Sequence, residues 1–283
     1  MMNHPAVGGL AYWMNRLASL DIHPNFYCSL AYLTASGAQC YLTPDGDWAY
    51  VVDADDGDPV CMFPPVPAND RVAAEVPRDQ WPALFGFIWS GFNGYPAPDG
   101  YETELLDYQY IYDQCSVAAA EGAAYATHRK NARKWPNRTG HRLEAVAAVR
   151  LPQPVLQELC GVWLEERGGD VEDVPNMLRY LLTPPPGGIV RALVDPYGYP
   201  RAIIAYDMNH RYINFRYCIT RPGEPFLEDY VRSLFYASPA VQAQAGTRLV
   251  NDGGMVDSPG LAQFKERLCP VERLSCESWI CVR

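Results

Sequence analysis

Two stretches of the chain gather side chains able to do chemistry. The first runs from Tyr125 to Trp135 (YATHRKNARKW) and carries His128, Arg129, Lys130, Asn131 and Arg133 in close succession. On a helix, Arg129 with Arg133 and Lys130 with Lys134 form i, i+4 pairs, so the cations occupy adjacent rows. Such rows suit phosphates; they equally suit the solvated C-terminal half of a helix, where cations offset the dipole. The second stretch is Leu249 to Met255 (LVNDGGM), followed by Ser258 to Pro270 (SPGLAQFKERLCP). Asn251, Asp252, Gly253 and Gly254 read as a turn, because all three residue types tolerate left-handed backbone. A turn at a strand end is also where enzymes place reacting groups. Lys265 follows Leu261 and Phe264, which puts it at the border of a buried helix face, either as an exposed lysine or as a cation held for chemistry.

Other chemistries find no support. There is no Walker loop, G-x-G-x-x-G, G-x-S-x-G or H-E-x-x-H. The nine cysteines are odd in number and scattered, with no C-x-x-C, so they read as reduced thiols packed like small apolar groups. Cys269, Cys276 and Cys281 cluster without a nearby histidine, and no metal is expected there. Six aspartates lie between Asp45 and Asp58, but a calcium loop counted from Asp53 puts Gly57 one place early and Pro64 where the bidentate glutamate belongs. A solvated turn is the expectation.

The elements that must position these residues follow from periodicity and punctuation. A helix is predicted over Gly9–Leu20, with Leu10, Trp13, Met14 and Leu17 at helical spacing. Strands at 38–42 and 48–52 are joined by a Pro44/Gly46 turn. A short strand, 59–65, stops at prolines, and a buried helix is predicted over 78–89. The strongest helix covers 114–135 and is ended by Trp135-Pro136; another covers 152–167. Strands at 189–194, 202–206 and 212–219 form a meander. With 283 residues, the chain has room for two cores. The expected class is mixed α/β (α+β), divided into an N-terminal lobe 1–113, a linking basic helix 114–139 and a C-terminal lobe 140–283.

Composition narrows the setting. Apolar residues at 48% and charged residues at 20% are those of a globular protein. The longest apolar stretch, Trp81 to Phe92, is too short to cross a bilayer, and the N-terminus lacks the basic segment and apolar run of a secretory signal. A cytoplasmic protein without a membrane partner is expected. The net charge of −10 opposes extensive nucleic-acid contact and leaves room only for a focused basic patch.

Taken in order, these segments resemble the phosphatidylglycerol lysyltransferase C-terminal domain family, within the wider GNAT and Fem-transferase group. The Tyr108–Tyr112 strand (YQYIY) leads into a helix where Arg129, Lys130 and Asn131 match the family's basic signature, with His128 ahead of them. Asn251, Asp252, Gly260, Leu261, Phe264, Lys265 and Pro270 match its C-terminal pattern, and His23–Tyr27 and Phe63–Pro65 resemble its N-terminal lobe. The resemblance spans about residues 23 to 270.

It implies two tandem GNAT-like lobes, each a twisted mixed sheet flanked by helices. The activity it implies is transfer of an amino acid from aminoacyl-tRNA to an amine or hydroxyl of a small metabolite or peptide, with no cofactor. Under that reading Asp252 takes the proton from the attacking amine, Lys265 stabilises the oxyanion or a terminal phosphate, and Asn251 orients the acceptor. His128, Arg129, Lys130, Asn131 and Arg133 would bind the donor. One departure bears on the donor. Acetyltransferases hold the CoA pyrophosphate with loop amides at a helix N-terminus; the corresponding stretch here, Thr220 to Pro225 (TRPGEP), loses two amides to Pro222 and Pro225 and adds Glu224. The alternatives are an acyl-CoA-dependent N-acyltransferase and an inactive GNAT-shaped binding module.

Overall fold

The computed structural model describes residues 4–53, 60–70, 81, 85–90, 92–93, 96–168, 171, 174–242, 249–254 and 259–282. The chain packs as two units. Unit 1 comprises Met1–Gln109, Asn209–Arg211 and Leu274–Arg283; unit 2 comprises Tyr110–Met208 and Tyr212–Arg273.

In unit 1, helix α1 (Gly9–Ser19) buries Trp13 and Leu17, and the Trp13 ring lies 5.1 Å from Phe63. Helix α2 (Leu30–Ser36) starts on a Ser29 side chain that accepts from the Tyr32 amide. Strands β1 (Gln39–Leu42) and β2 (Trp48–Asp53) pair in antiparallel register, Gln39 opposite Val52. Their turn closes as its composition predicts: the Gly46 amide donates to the Thr43 carbonyl, and Gly46 takes φ 77°. The predicted helix over 78–89 is corrected at its end. Residues Phe87–Ser90 form strand β3, because apolar side chains there alternate with period two: Ile88 is fully buried and Phe87 exposed. Residues 78–80 and 82–84 lie outside the described residues, as do 54–59 in the aspartate-rich loop.

Unit 2 is built on strands β4 (Tyr101–Asp113, from Tyr110), β5 (Glu144–Ala147), β6 (Ile189–Val194), β7 (Pro200–Met208), β8 (Ile213–Thr220) and β9 (Leu249–Asn251). The sheet order is β4-β9-β8-β7-β6-β5. All neighbours are antiparallel except β8 and β9, which run parallel and are joined through helix α7 (Leu227–Ala237). On one face, Leu193, Ile204, Tyr206 and Phe215 pack against Val231 and Phe235 of α7. Helix α5 (Gln153–Arg167) also packs on β7 and β8, and helix α6 (Val174–Leu182) follows it. Strand β10 (Glu272–Cys281) returns the chain to unit 1.

The helix expected over 114–135 is two helices, α3 (Gln114–Ala119) and α4 (Ala126–Thr139). Asp113 caps α3 by accepting from the Ser116 amide at 2.8 Å. The helix then breaks where Ala120 takes φ 47° and Gly122 φ 81°. Nor does Pro136 end α4. It costs the helix one hydrogen bond but sits in the last turn, which closes at Gly140 with φ 71°. The segment expected to link the lobes lies wholly in unit 2, whereas Leu274–Arg283 lie in unit 1. No helix among the described residues is long and apolar enough to cross a membrane.

Candidate functional site

Helix α4 buries His128, Asn131, Ala132 and Trp135, one face at i, i+3, i+4 and i+7 spacing. Trp135 stacks on Tyr230 of α7, ring centroids 5.3 Å apart. Beside this contact a groove of about 580 Å³ opens, lined by His128, Arg129, Arg133, His141 and Arg142, with no carboxylate among its described lining residues. Three of the five residues expected to bind a donor thus share one wall. Lys130 is exposed and outside the lining, and Asn131 is buried, accepting from Lys134 Nζ at 3.0 Å. The four cations do not form one comb. Lys134 lies over the Phe226 ring, 3.9 Å from its centroid, and Arg129 Nη1 donates to the carbonyls of Ala120 and Gly122, tying α4 to the break before it. His128 Nδ1 stands 3.8 Å from an Asp229 oxygen.

The loop after β8 carries its own negative charge, and that charge is matched from within. Glu224 accepts from Trp135 Nε1 at 2.7 Å and from Arg201 Nη1 at 2.9 Å. Arg201 also grips Asp195 through Nε and Nη2 at 2.9 and 2.7 Å. Helix α7 then begins with Glu228 and Asp229 in its first turn. The helix end that would attract an anion faces carboxylates of its own.

The structure places Asn251, Asp252 and Lys265 at one turn. Asn251 Oδ1 accepts from the Gly253 amide at 2.9 Å, and Gly253 takes φ 65°. The Asp252 amide donates to the Tyr110 carbonyl at 3.0 Å, and the Tyr110 amide donates to Gly253 at 3.1 Å. Lys265, from helix α8 (Pro259–Glu266), is 3% exposed. Its ammonium donates to the carbonyls of Asp252 at 2.5 Å, Gly253 at 3.0 Å and Gly254. The Tyr112 hydroxyl donates to the Lys265 carbonyl at 3.0 Å, beneath the same turn.

Asp252 pairs through Oδ2 with Arg232 of α7. Arg232 also meets Glu228 at 3.3 Å and lies between the Phe215 and Phe264 rings, 4.9 and 5.0 Å from their centroids. Burial alone would lower the Arg232 pKa; Asp252 and Glu228 more than reverse that and hold it well above its ordinary value. Burial, and then Asp252, pushes the Tyr112 phenol far up. Tyr236 is raised in the same way, and its hydroxyl has no hydrogen-bond partner among the described residues.

A further network escapes sequence reasoning. Asp207, at the end of β7, receives Arg216 Nε at 2.6 Å, Arg216 Nη2 at 3.0 Å, Asn214 Nδ2 at 2.9 Å and the Tyr180 hydroxyl at 2.9 Å. Both charged side chains are sealed from water, at 0 and 1% exposure. One turn before Tyr180 on α6, Asn176 is buried with neither amide atom hydrogen-bonded among the described residues. The available signal was a charge inside an apolar strand run: Asp207 continues the inward alternation of Ile203 and Ala205, and Arg216 interrupts INFRYC.

No protein-family model and no curated protein matches the chain. Solved structures do. A conserved protein of unknown function from Bacteroides thetaiotaomicron superposes with a TM-score of 0.73 at 14% identity, covering 99% of each chain. L-PGS from Bacillus licheniformis gives 0.67 at 14%, covering 100% of this chain and 94% of that one. A tandem GNAT protein from the clavulanic acid biosynthesis pathway gives 0.55 at 11%, covering 100% and 99%. The chain has the tandem GNAT fold. The β8–α7 loop is the stretch expected from the resemblance to correspond to the acetyltransferase pyrophosphate loop. That loop is the one occupied by Glu224 and its two donors, and the basic groove lies along the neighbouring helix α4.

Proposed function

We propose that this tandem GNAT protein is an acyltransferase that takes an amino acid from aminoacyl-tRNA and passes it to an amine or hydroxyl of a small metabolite or peptide. One observation carries the choice of donor. The loop that would receive a CoA pyrophosphate is closed by Glu224 on Trp135 and Arg201, while the adjacent groove presents His128, Arg129, Arg133, His141 and Arg142 without a carboxylate. A pyrophosphate meets the Glu224 carboxylate at the first place, and phosphates meet Arg129, Arg133 and Arg142 at the second.

The donor ester is already activated, so orienting it against the acceptor supplies much of the acceleration. Asp252 is the proton acceptor in this reading. Arg232 fixes its Oδ2, and among the described residues Oδ1 accepts no hydrogen bond, which leaves it for the attacking amine. Asn251 shapes the turn and orients the acceptor beside it. Lys265 acts through the turn, holding the carbonyls of residues 252 to 254 rather than meeting the donor.

A donor screen tests this reading, comparing charged tRNAs with acyl-CoA thioesters and following loss of the ester or thioester. Only the tRNA ester should be consumed. In salt titrations of aminoacyl-tRNA binding, Arg133→Ala and Arg142→Ala should each flatten the log K against log salt slope by about 0.7–0.9. Micromolar acetyl-CoA affinity by calorimetry, with thioester turnover, would establish the CoA-dependent enzyme instead.

A further inference from the structure

Within the IVRALV run of β6, Arg191 is the single charged residue. Strand alternation sends it to the same face as Ile189 and Leu193, and the register sets it opposite Ile204 of β7 and Ala147 of β5. That face meets the C-terminal end of α7 and the short helix Pro239–Gln242. Between them lies a cavity of about 430 Å³, lined by Leu193, Ile204, Phe235 and Val241, with Arg191, Tyr206 and Ser238 as polar neighbours and no carboxylate among the described lining residues. Its size and its apolar wall with few polar groups are those of a small-molecule site.

Arg191 is half-buried, and among the described residues no carboxylate lies within ion-pair distance of it. Its charge is near enough to the Tyr206 hydroxyl to oppose the upward push of burial on that phenol. Tyr206 is in turn fixed edge-to-face on Phe235, centroids 5.4 Å apart. A guanidinium has five donors in a planar fork, so one hydroxyl leaves most of it unused. Elsewhere in unit 2 the withdrawn arginines meet acids: Arg216 has Asp207, Arg232 has Asp252 and Arg201 has Asp195. Here the acid is missing and a cavity takes its place.

We infer that this cavity binds a small monocarboxylic acid with an apolar body, its carboxylate on Arg191 and its body against Leu193, Ile204 and Phe235. A phosphate would need more donors than one fork and one hydroxyl, and an amine would meet Arg191 with like charge. The inference does not depend on which acyl donor the protein uses.

The test is calorimetric titration with three isosteres: 3-phenylpropanoate, 3-phenylpropan-1-ol and 3-phenylpropylamine. The acid should bind with a Kd below about 1 mM. The alcohol should bind about tenfold more weakly or worse, the loss expected for charge-assisted hydrogen bonds, and the amine not at all. Arg191→Gln should remove about tenfold or more of the acid's affinity. Ala237→Trp, which fills the rim with Arg191 intact, should abolish binding, so the site stays testable if Arg191→Gln folds poorly. No binding of the acid up to about 10 mM, equal affinity for acid and alcohol, or full affinity in either folded variant overturns the proposal.

Discussion

Among the described residues of unit 1, the polar side chains withdrawn from water are neutral: Asn25, Ser29, Ser36, Thr43, Gln109, Asn209 and Ser278. In unit 2, Asp195, Asp207, Arg216, Asp229, Arg232, Asp252 and Lys265 are all buried. A neutral amide or hydroxyl can be satisfied by main-chain groups, as Ser29 is by the Tyr32 amide and Asn209 by the Asn25 and Cys28 carbonyls. A buried ion needs a partner of opposite charge, and the pair is often less stabilising than apolar residues of the same shape. The second lobe therefore carries an arrangement that folding alone does not require, while the first packs as an ordinary core. Buried charge of this kind concentrates where a protein does chemistry.

The contrast is easiest to break at Arg216. Arg216→Met leaves Asp207 buried without a counter-charge and should lower stability by about 3–5 kcal/mol in urea unfolding. The double variant with Asp207→Asn should recover a large part of the loss. A loss below about 1 kcal/mol in the single variant would show that the second lobe's ions are as dispensable as surface ones. Lys265→Met comes next. It strips a charged donor from the carbonyls of residues 252 to 254, at an expected cost of about 2–3 kcal/mol. Lys265→Arg should keep part of that stability and lose turnover, because a planar fork does not fit the turn. Unchanged kcat in Lys265→Arg would detach the turn from the chemistry.

Asp195 sharpens the contrast through pH. Burial by itself would raise its pKa; the Arg201 hydrogen bond and the Tyr199 and Tyr197 amides outweigh burial and hold it below the ordinary 3.8. A carboxylate depressed in the folded state contributes stability that is full above the unfolded value and lost as pH falls through the folded one. Asp195→Asn should thus cost about 1–2 kcal/mol at neutral pH. The gap from wild type, followed by chemical unfolding, should narrow steadily below about pH 4. A gap that stays constant to pH 3 would remove Asp195 from the set of ions that matter. The smallest effect belongs to unit 1. Arg16 meets Asp70 at 2.5 Å, but Asp70 is 91% exposed, so Asp70→Asn should change stability by less than about 0.5 kcal/mol. A larger loss would mean that the first lobe also depends on its charges.

How much of this was legible depends on how local each cause is. The β1–β2 hairpin is written in Thr43 to Asp47, where Pro44 and Gly46 set the turn without outside help. The meander over 189–220 shows in its β-branched runs, and the meeting of Asn251, Asp252 and Lys265 follows from a strand end and the helix after it. What Lys265 touches was not legible, because its three carbonyl partners exist only once Gly253 turns left-handed beneath it. Arg232 reads locally as an i, i+4 partner of Glu228; its pairing with Asp252 needs the crossover from β8 to β9. The helix break at Ala120 hides in an alanine-rich run whose propensity favours continuing, and only Gly122 marks it. Phe87–Ser90 was misjudged because an apolar run that short fits either period until its partner, β10, is known.

That partner has a consequence for the order in which the protein can be made. Strand β10 sets Trp279 opposite Ile88 of β3, fully buried and 6.5 Å from Tyr101. The ribosome delivers it only after the whole of unit 2. At about 5–20 residues per second, the earlier part of unit 1 waits roughly ten to thirty seconds for the strand that covers the edge of β3. Meanwhile unit 2, whose residues emerge together, is free to fold. The lobe that comes first in the gene is the one completed last, and the exposed edge of β3 during that interval is where a chaperone or a misfolding partner would find its purchase.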